Sequence, residues 1–143
     1  MEGLEKVIPL LAGVSMDIKT SFDKYNDLIR VQGGSCVENV KKSILLLVSV
    51  QSMMKVEFRT TVFDPMCNAS DVAIVASFLK GLGFNGYYAI QQYDPERVER
   101  NDARFLKVIK SDDVIAIARS ISGLGFRTFA RTRDQGIVET FKS

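Results

Sequence analysis

The chain of 143 residues has no histidine and no tryptophan, and it has only two cysteines, Cys36 and Cys67. The absence of histidine excludes every histidine-based catalytic triad and removes the side chain that most readily exchanges protons near neutral pH. The two cysteines form no CxxC motif or longer metal-ligand cluster, so we expect neither a metal site nor a disulfide. Any chemistry must therefore use carboxylates, lysine, arginine, tyrosine, cysteine or a bound cofactor.

Long apolar runs and a strong net charge are also missing. The longest apolar run, "SILLLVSV", is too short to span a membrane. The formal net charge of +2 is too small to indicate binding to nucleic acid or to a membrane surface. The N-terminus "MEGLEKVIPLLAG" places acidic residues before its apolar stretch, which is not typical of a secretory signal. We expect a cytoplasmic protein that folds as one domain, residues 1–143.

A repeated unit organises the second half of the chain. "SDVAIVASFLKGLGF" begins at Ser70, and "DDVIAIARSISGLGF" begins 42 residues later at Asp112. Each copy has apolar residues at helical spacing and glycines that can end a helix. An alternating segment follows each copy, "FNGYYAIQQY" and "FRTFARTR", and predicts a strand. Looser versions of the unit, ending in "VSMDIK" and "MKVEFRTTVF", precede them.

Four helix–strand units predict a parallel sheet with right-handed crossovers. Such units can form an open α/β sheet or half of a (β/α) barrel, and the chain is too short for a closed barrel of about 250 residues. We predict an incomplete (β/α) barrel, TIM-like, with its helices on the outer face. The charged segment from Asp94 to Lys110 is predicted to be a surface helix or loop, and the tail "DQGIVETFKS" can add a short edge strand.

One face of the predicted strands is polar. Ser15, Asp17 and Lys19 alternate with apolar residues in the first strand, and Glu57, Arg59 and Thr61 do so in the second. Two interpretations stay open: the charges pair across strands, or they line a site for a polar ligand. Sites in α/β folds lie at the carboxyl ends of the strands. The residues that this rule favours are Asp17, Lys19, Arg59, Thr61, Gln91, Gln92 and Arg131.

Four segments, in order and spacing, resemble the C-terminal half of radical S-adenosylmethionine enzymes. They are "MDIKTSFDKYNDLIRV", "VEFRTTVFDP", "YYAIQQYDPE" and "FARTRDQG". The resemblance is to the glycyl-radical activases, which are pyruvate formate-lyase activating enzyme and the activating proteins of anaerobic ribonucleotide reductase. It covers nearly the whole chain.

The resemblance implies roles for the matching residues. Lys19 would bind the carboxylate of S-adenosylmethionine, Asp17 would organise the same polar end, with or without a bound cation, and Arg59 would reach the ribose or the carboxylate. The "QQYDPE" strand end would line the adenosine site. With Thr61, the cofactor-binding candidates are Asp17, Lys19, Arg59, Thr61, Gln91, Gln92 and Tyr93.

The CxxxCxxC motif that holds the family's 4Fe-4S cluster does not occur in this sequence. The resemblance therefore implies a chain that is inactive alone, with no catalytic or metal-binding residue of its own. Three interpretations remain. The chain is the C-terminal half of an activase that a separate cluster-binding half completes, with a glycyl-radical protein as client. Alternatively, it is a non-catalytic half-barrel that binds a ligand, or a scaffold that dimerises through its exposed edges.

Overall fold

The computed structural model describes residues 2–29, 36–97 and 106–141. The helices are α1 (Glu2–Val7), α2 (Tyr25–Leu28), α3 (Cys36–Ser49), α4 (Ala69–Gly81) and α5 (Ser111–Ser120). The strands are β1 (Gly13–Asp17), β2 (Lys55–Val62), β3 (Tyr87–Gln92), β4 (Arg127–Thr132) and β5 (Gly136–Glu139). None of the described helices is long and apolar enough to cross a membrane.

The five strands form one sheet in the order of the chain. Strands β1 to β4 are parallel, and β5 is antiparallel to β4. The predicted α/β class and the short edge strand from the tail are confirmed. Curvature of this sheet into part of a barrel stays a prediction, as does the single-domain boundary at residues 1–143.

Helices α3, α4 and α5 pack against one side of the sheet. A parallel sheet whose strands follow chain order has this arrangement when all its crossovers share one hand. Leu47 of α3, Val75 of α4 and Ile117 of α5 join Phe58 of β2 and Ile90 of β3 in one buried core. The side chains that project from the other side of the strands form a second surface.

Local sequence explains how the repeated helices begin and end. Asn68 caps α4, because its side chain accepts from the Ser70 N–H at 3.1 Å, and Asp71 accepts in return from the Asn68 N–H. This reciprocal arrangement satisfies amide groups that have no partner within the helix. Gly83 follows α4 with φ of +72° and Gly123 follows α5 with φ of +84°. Glycine tolerates this left-handed conformation without a Cβ clash, so the chain can turn back into the next strand.

Only part of the charged segment Asp94–Lys110 falls within the described residues. Pro95–Arg97 form a short 3-10 turn, and residues 98–105 lie outside the described ranges. Lys107 pairs with Asp64 through two backbone hydrogen bonds of 3.0 and 3.1 Å. The segment before α5 is thereby tied to the loop that follows β2.

Candidate functional site

The side of the sheet opposite the helices is called the open face here. Strand register aligns Ser15 with Glu57, Asp17 with Arg59, and Thr61 with Gln91. Because side chains alternate along a strand, aligned residues project to the same side. The open face includes Ser15, Asp17, Glu57, Arg59, Thr61, Ala89, Gln91, Phe129 and Arg131. Its polar members come from all four parallel strands, as the alternation in the sequence predicts.

Asp17, the last residue of β1, holds two cations at the carboxyl end of the sheet. Its Oδ2 accepts from Lys19 Nζ at 2.7 Å, and its Oδ1 accepts from Arg59 Nε at 2.8 Å. All three side chains are partly exposed, at 36% for Asp17, 47% for Lys19 and 33% for Arg59. Partial burial acts to raise the pKa of Asp17, but hydrogen bonds and charges from Lys19 and Arg59 outweigh it and lower that pKa below 3.8. This trio, the Asp17 cluster, carries a net charge of +1 at neutral pH.

A second ion pair lies deeper in the open face. Arg131 Nη2 donates to both carboxylate oxygens of Glu57, at 3.1 and 3.3 Å, and Ser15 Oγ donates to the same carboxylate at 3.5 Å. The Arg131 guanidinium also lies 5.0 Å from the centre of the Phe129 ring. The Glu57 side chain is only 12% exposed. Glu57 and Arg131 therefore satisfy each other, and the Asp17 cluster is the more accessible of these two charged clusters.

The first interpretation of the polar strands, pairing across strands, is confirmed for Asp17 with Arg59 and for Glu57 with Arg131. Arg133 pairs instead with Asp94 and Glu96 beyond the strand ends. A ligand site on the same surface stays a prediction. Pairing and ligand binding are compatible where the paired side chains remain exposed to solvent, as in the Asp17 cluster.

The other predicted site residues separate into two groups. Thr61 and Gln91 are half-buried neighbours on the open face. Gln92 lies on the helix side, where its Nε2 donates to Ile109 O at 2.8 Å and its Oε1 accepts from Arg133 N at 2.8 Å. The structure thus brings Asp17, Lys19 and Arg59 together with Thr61 and Gln91 on one surface, and does not bring Gln92 there.

Tyr93, the last predicted site residue, is buried just beyond β3. Its ring packs 5.7 Å from the ring of Phe63, and 5% of the residue is exposed. The Tyr93 hydroxyl has no hydrogen-bond partner among residues 2–29, 36–97 and 106–141. A buried hydroxyl without a partner is unfavourable, but this one has almost no surface for a ligand to contact.

The loop after β1 contains contacts that sequence reasoning missed. Tyr25 Oη accepts from the backbone N–H of Lys19 at 3.1 Å, and Ser21 Oγ donates to Asp71 Oδ1 at 2.6 Å. Burial, the main influence, raises the pKa of Tyr25, so its hydroxyl stays protonated. The one sequence signal was an aspartate three residues after Asn68 at a helix start, which a capping box explains without any loop contact.

A cleft beside Gln92 was also not anticipated. It is a shallow cleft of about 690 Å³, largely open to solvent, at the start of α5 and beside the end of β4. Its lining includes Val108, Lys110, Ser111, Asp112, Arg133 and Asp134. Ser111 Oγ donates to Asp134, and this hydrogen bond lowers the pKa of the Asp134 carboxyl. The polar groups of this cleft are largely satisfied by one another.

The two thiols lie in different environments. Cys67 is fully buried, and burial raises its pKa to about 12, whereas Cys36 at the start of α3 is partly exposed. No three histidine, cysteine, aspartate or glutamate side chains come close enough to hold a metal ion within the described ranges. A neutral, buried thiol such as Cys67 is a poor metal ligand, because the thiolate is the form that binds.

The fold and the open face define an α/β protein with a charged, partly exposed surface at the carboxyl ends of its parallel strands. Over 117 aligned residues the chain is 26% identical to a Methanocaldococcus jannaschii protein named "Putative glycyl-radical enzyme activating enzyme MJ1227". The alignment covers 79% of this chain and 47% of that protein, so the chain spans about half the length of this relative. No family profile and no solved structure matches the chain. The similarity supports the resemblance to glycyl-radical activases at the level of the family.

Proposed function

We propose that this chain is the S-adenosylmethionine-binding portion of a radical S-adenosylmethionine activase, and that Asp17, Lys19 and Arg59 hold the methionine end of the ligand. The observation that carries the proposal is the Asp17 cluster. One carboxylate lies within 2.8 Å of an ammonium and a guanidinium, in a partly exposed position at the carboxyl ends of β1 and β2. The similarity to a relative named as a glycyl-radical enzyme activating enzyme supports the same proposal.

The charges of this cluster fit the ligand. The methionine end of S-adenosylmethionine carries a carboxylate and an ammonium group. Lys19 and Arg59 offer cationic donors to the carboxylate, and Asp17 offers an acceptor to the ammonium. Lys19 can change partner at small cost, because a partly exposed ion pair contributes only about 0.2–1 kcal/mol. When bound and reduced by one electron, the cofactor would supply a 5′-deoxyadenosyl radical; the residues named here bind and orient it.

The structure supports the remaining candidate residues to different degrees. Thr61 and Gln91 share the open face and would contact the ribose or the adenine. The Tyr93 hydroxyl, just beyond the end of β3, is buried and would contact the ligand only after the side chains around it moved. Gln92 would have to give up its bonds to Ile109 and Arg133 to take part, so its proposed contact is the one that the structure supports least.

The residues of this chain do not fit a 4Fe-4S cluster. A cluster of the CxxxCxxC type needs three thiolates, whereas the chain has two cysteines, one of them buried with a raised pKa. Under this proposal the cluster belongs to a separate N-terminal half, and the client is a glycyl-radical protein. The alignment covers 47% of the relative's length, which is in keeping with a chain that corresponds to about half of such a protein.

An exposed sheet edge supports association with that half or with a second copy. The outer edge of β1 pairs with no strand in the described residues, and Leu10 just before it is 83% exposed. An unpaired strand edge offers backbone donors and acceptors to another chain. The same edge would serve the alternative function, a non-catalytic ligand-binding module that dimerises.

Calorimetric titration tests the binding proposal. S-adenosylmethionine is titrated into the wild-type chain and into Lys19→Ala, with Lys80→Ala as a control that removes the same charge from the exposed end of α4. Loss of a hydrogen bond between charged groups should weaken binding by about 10- to 100-fold in Lys19→Ala and leave Lys80→Ala unchanged. Decarboxylated S-adenosylmethionine should also bind the wild type more weakly than S-adenosylmethionine does. The difference between the two ligands should be smaller in Lys19→Ala, where only Arg59 is left to contact the carboxylate.

The outcomes separate the two functions. No binding to the wild type, or equal binding by Lys19→Ala and the wild type, contradicts the proposal. Size-exclusion chromatography with light scattering, over a range of protein concentrations, tests whether the chain dimerises, as the unpaired edge of β1 would allow. A concentration-dependent dimer favours the dimeric module, whereas a monomer that binds S-adenosylmethionine favours the separate cluster-binding half.

A further inference from the structure

We propose that Asp71, at the start of α4, is a positioning residue that fixes the loop of residues 18–24 and thereby holds Lys19 over the open face. This inference rests on the proposed function, because it gives Lys19 its reason to be held. The loop of residues 18–24, called the β1 loop below, connects the end of β1 to α2. Asp71 itself touches neither the Asp17 cluster nor the open face in any hydrogen bond of the described residues.

Asp71 makes more contacts than its helix requires. Its Oδ2 accepts from the Asn68 N–H at 2.9 Å, which completes the cap of α4. Its Oδ1 accepts from Ser21 Oγ at 2.6 Å, and Oδ2 also accepts from Lys24 Nζ at 3.0 Å. The side chain is only 2% exposed. The two contacts to the β1 loop bridge about fifty positions of sequence, so they fix one part of the fold against another.

Asp71 is ionised at neutral pH. Burial acts to raise its pKa, but hydrogen bonds from Ser21 and Asn68, and the hydrogen bond and charge of Lys24, outweigh burial and lower the pKa. A buried carboxylate is stable only when donors satisfy it, and here two of three donors belong to the β1 loop. The link between the loop and α4 is therefore strong compared with a contact at the surface.

The β1 loop is fixed on both sides of Lys19. Ile18 N donates to Arg59 O at 2.8 Å, and Thr20 Oγ1 donates to Met66 O at 2.7 Å. Ile18, Thr20 and Ser21 have no exposed surface. The Lys19 side chain, by contrast, is 47% exposed. The loop thus has a fixed backbone with one exposed, charged side chain, which is the arrangement expected for a group that meets a ligand without ordering the backbone anew.

Two substitutions beside Asp71 distinguish positioning from simple stabilisation of α4. Ser21→Ala removes the shorter of the two loop contacts of Asp71, keeps the contact with Lys24, and leaves the helix cap intact. Asn68→Ala removes the side chain that caps Ser70 N–H and leaves the contact of Asp71 with Ser21 intact. Each variant removes one polar side chain next to the same carboxylate, so Asn68→Ala is the matched control for loss of stability.

Amide hydrogen exchange followed by NMR reads out the loop directly, at the Lys19 N–H that donates to Tyr25 Oη. In Ser21→Ala this amide should exchange about tenfold faster than in the wild type, since a hydrogen bond to a charged group is lost. In Asn68→Ala its exchange should change no more than that of the core amides. In calorimetry, Ser21→Ala should bind S-adenosylmethionine several-fold more weakly than Asn68→Ala.

The two measurements test the proposed function and the positioning role separately. A wild-type chain that does not bind S-adenosylmethionine overturns the proposed function. Exchange at Lys19 that is the same in Ser21→Ala as in Asn68→Ala overturns the positioning role, whatever the ligand result. Faster exchange with unchanged affinity also overturns it, because the loop would then be fixed for stability alone.

Discussion

The ion pair between Glu57 and Arg131 should contribute more to stability than the Asp17 cluster on the same face. The perturbations are Glu57→Gln, Arg131→Met and the two together, with Asp17→Asn as the comparison. Glu57 is 12% and Arg131 31% exposed, so water screens this pair less than it screens Asp17, which is 36% exposed. Removing one member of a poorly solvated pair also leaves the other without its partner.

The expected magnitudes follow from this geometry. The gross attraction of two charges about 4 Å apart is about 4 kcal/mol at an intermediate effective dielectric, and desolvation cancels most of it. Glu57→Gln should therefore lower the free energy of unfolding by about 1 kcal/mol, since glutamine still accepts from Arg131. Arg131→Met should cost about 2 kcal/mol, because Glu57 then keeps only the 3.5 Å contact from Ser15. Asp17→Asn should cost less than about 1 kcal/mol.

Urea unfolding followed by far-ultraviolet circular dichroism measures these differences, because the chain has no tryptophan to report by fluorescence. The double variant should lose about 1 kcal/mol less than the sum of the single variants, which is the coupling between the two side chains. Additive losses, within about 0.3 kcal/mol, would refute the argument that this pair is energetically coupled. A loss in Asp17→Asn as large as that in Arg131→Met would refute the distinction between the two clusters.

Two further predictions concern pH and backbone packing. The pKa of Asp71 is lowered in the folded chain, so its contribution to stability is complete above the unfolded value of 3.8 and is lost as the pH falls through the lower folded value. The free energy of unfolding, measured at a series of acid pH values, should change less with pH in Asp71→Asn than in the wild type. An equal pH dependence in the two proteins would contradict this role. Gly86→Ala would place a Cβ 2.5 Å from the backbone oxygen of Val56, so it should cost about 1–3 kcal/mol in urea unfolding. An unchanged midpoint would mean that β2 and β3 are not so closely apposed there.

Sequence periodicity was sufficient to predict the class of fold. The repeated units beginning at Ser70 and Asp112 predicted two helices, each followed by a strand, and α4, β3, α5 and β4 are found there. The glycines of each GLGF motif were expected to end these helices, and Gly83 and Gly123 do have positive φ. These features could be predicted because they depend on residues that are close in sequence: caps, apolar spacing and the conformational freedom of glycine.

Alternation within the strands also predicted the composition of the open face. Asp17 and Arg59 were expected on one side of the sheet with Thr61, and strand register places them there. The same alternation places Gln92 on the side opposite Gln91, because neighbouring residues of a strand point in opposite directions, so listing both as residues of one site was wrong. The Gln92 side chain lies on the helix side, where it donates to Ile109 O.

The amino-acid sequence by itself determined which segments become helices and strands and which residues share a face, because those properties follow from the short repeat distances of the backbone. Only the tertiary structure decided which polar side chains pair, since Arg131 reaches Glu57 across 74 positions and Ser21 reaches Asp71 across 50. Several acids and bases of this chain could have formed equivalent pairs, and charge alone does not distinguish them. Strand register and the packing of α4 against the β1 loop select one set, because they place specific atoms within hydrogen-bonding distance.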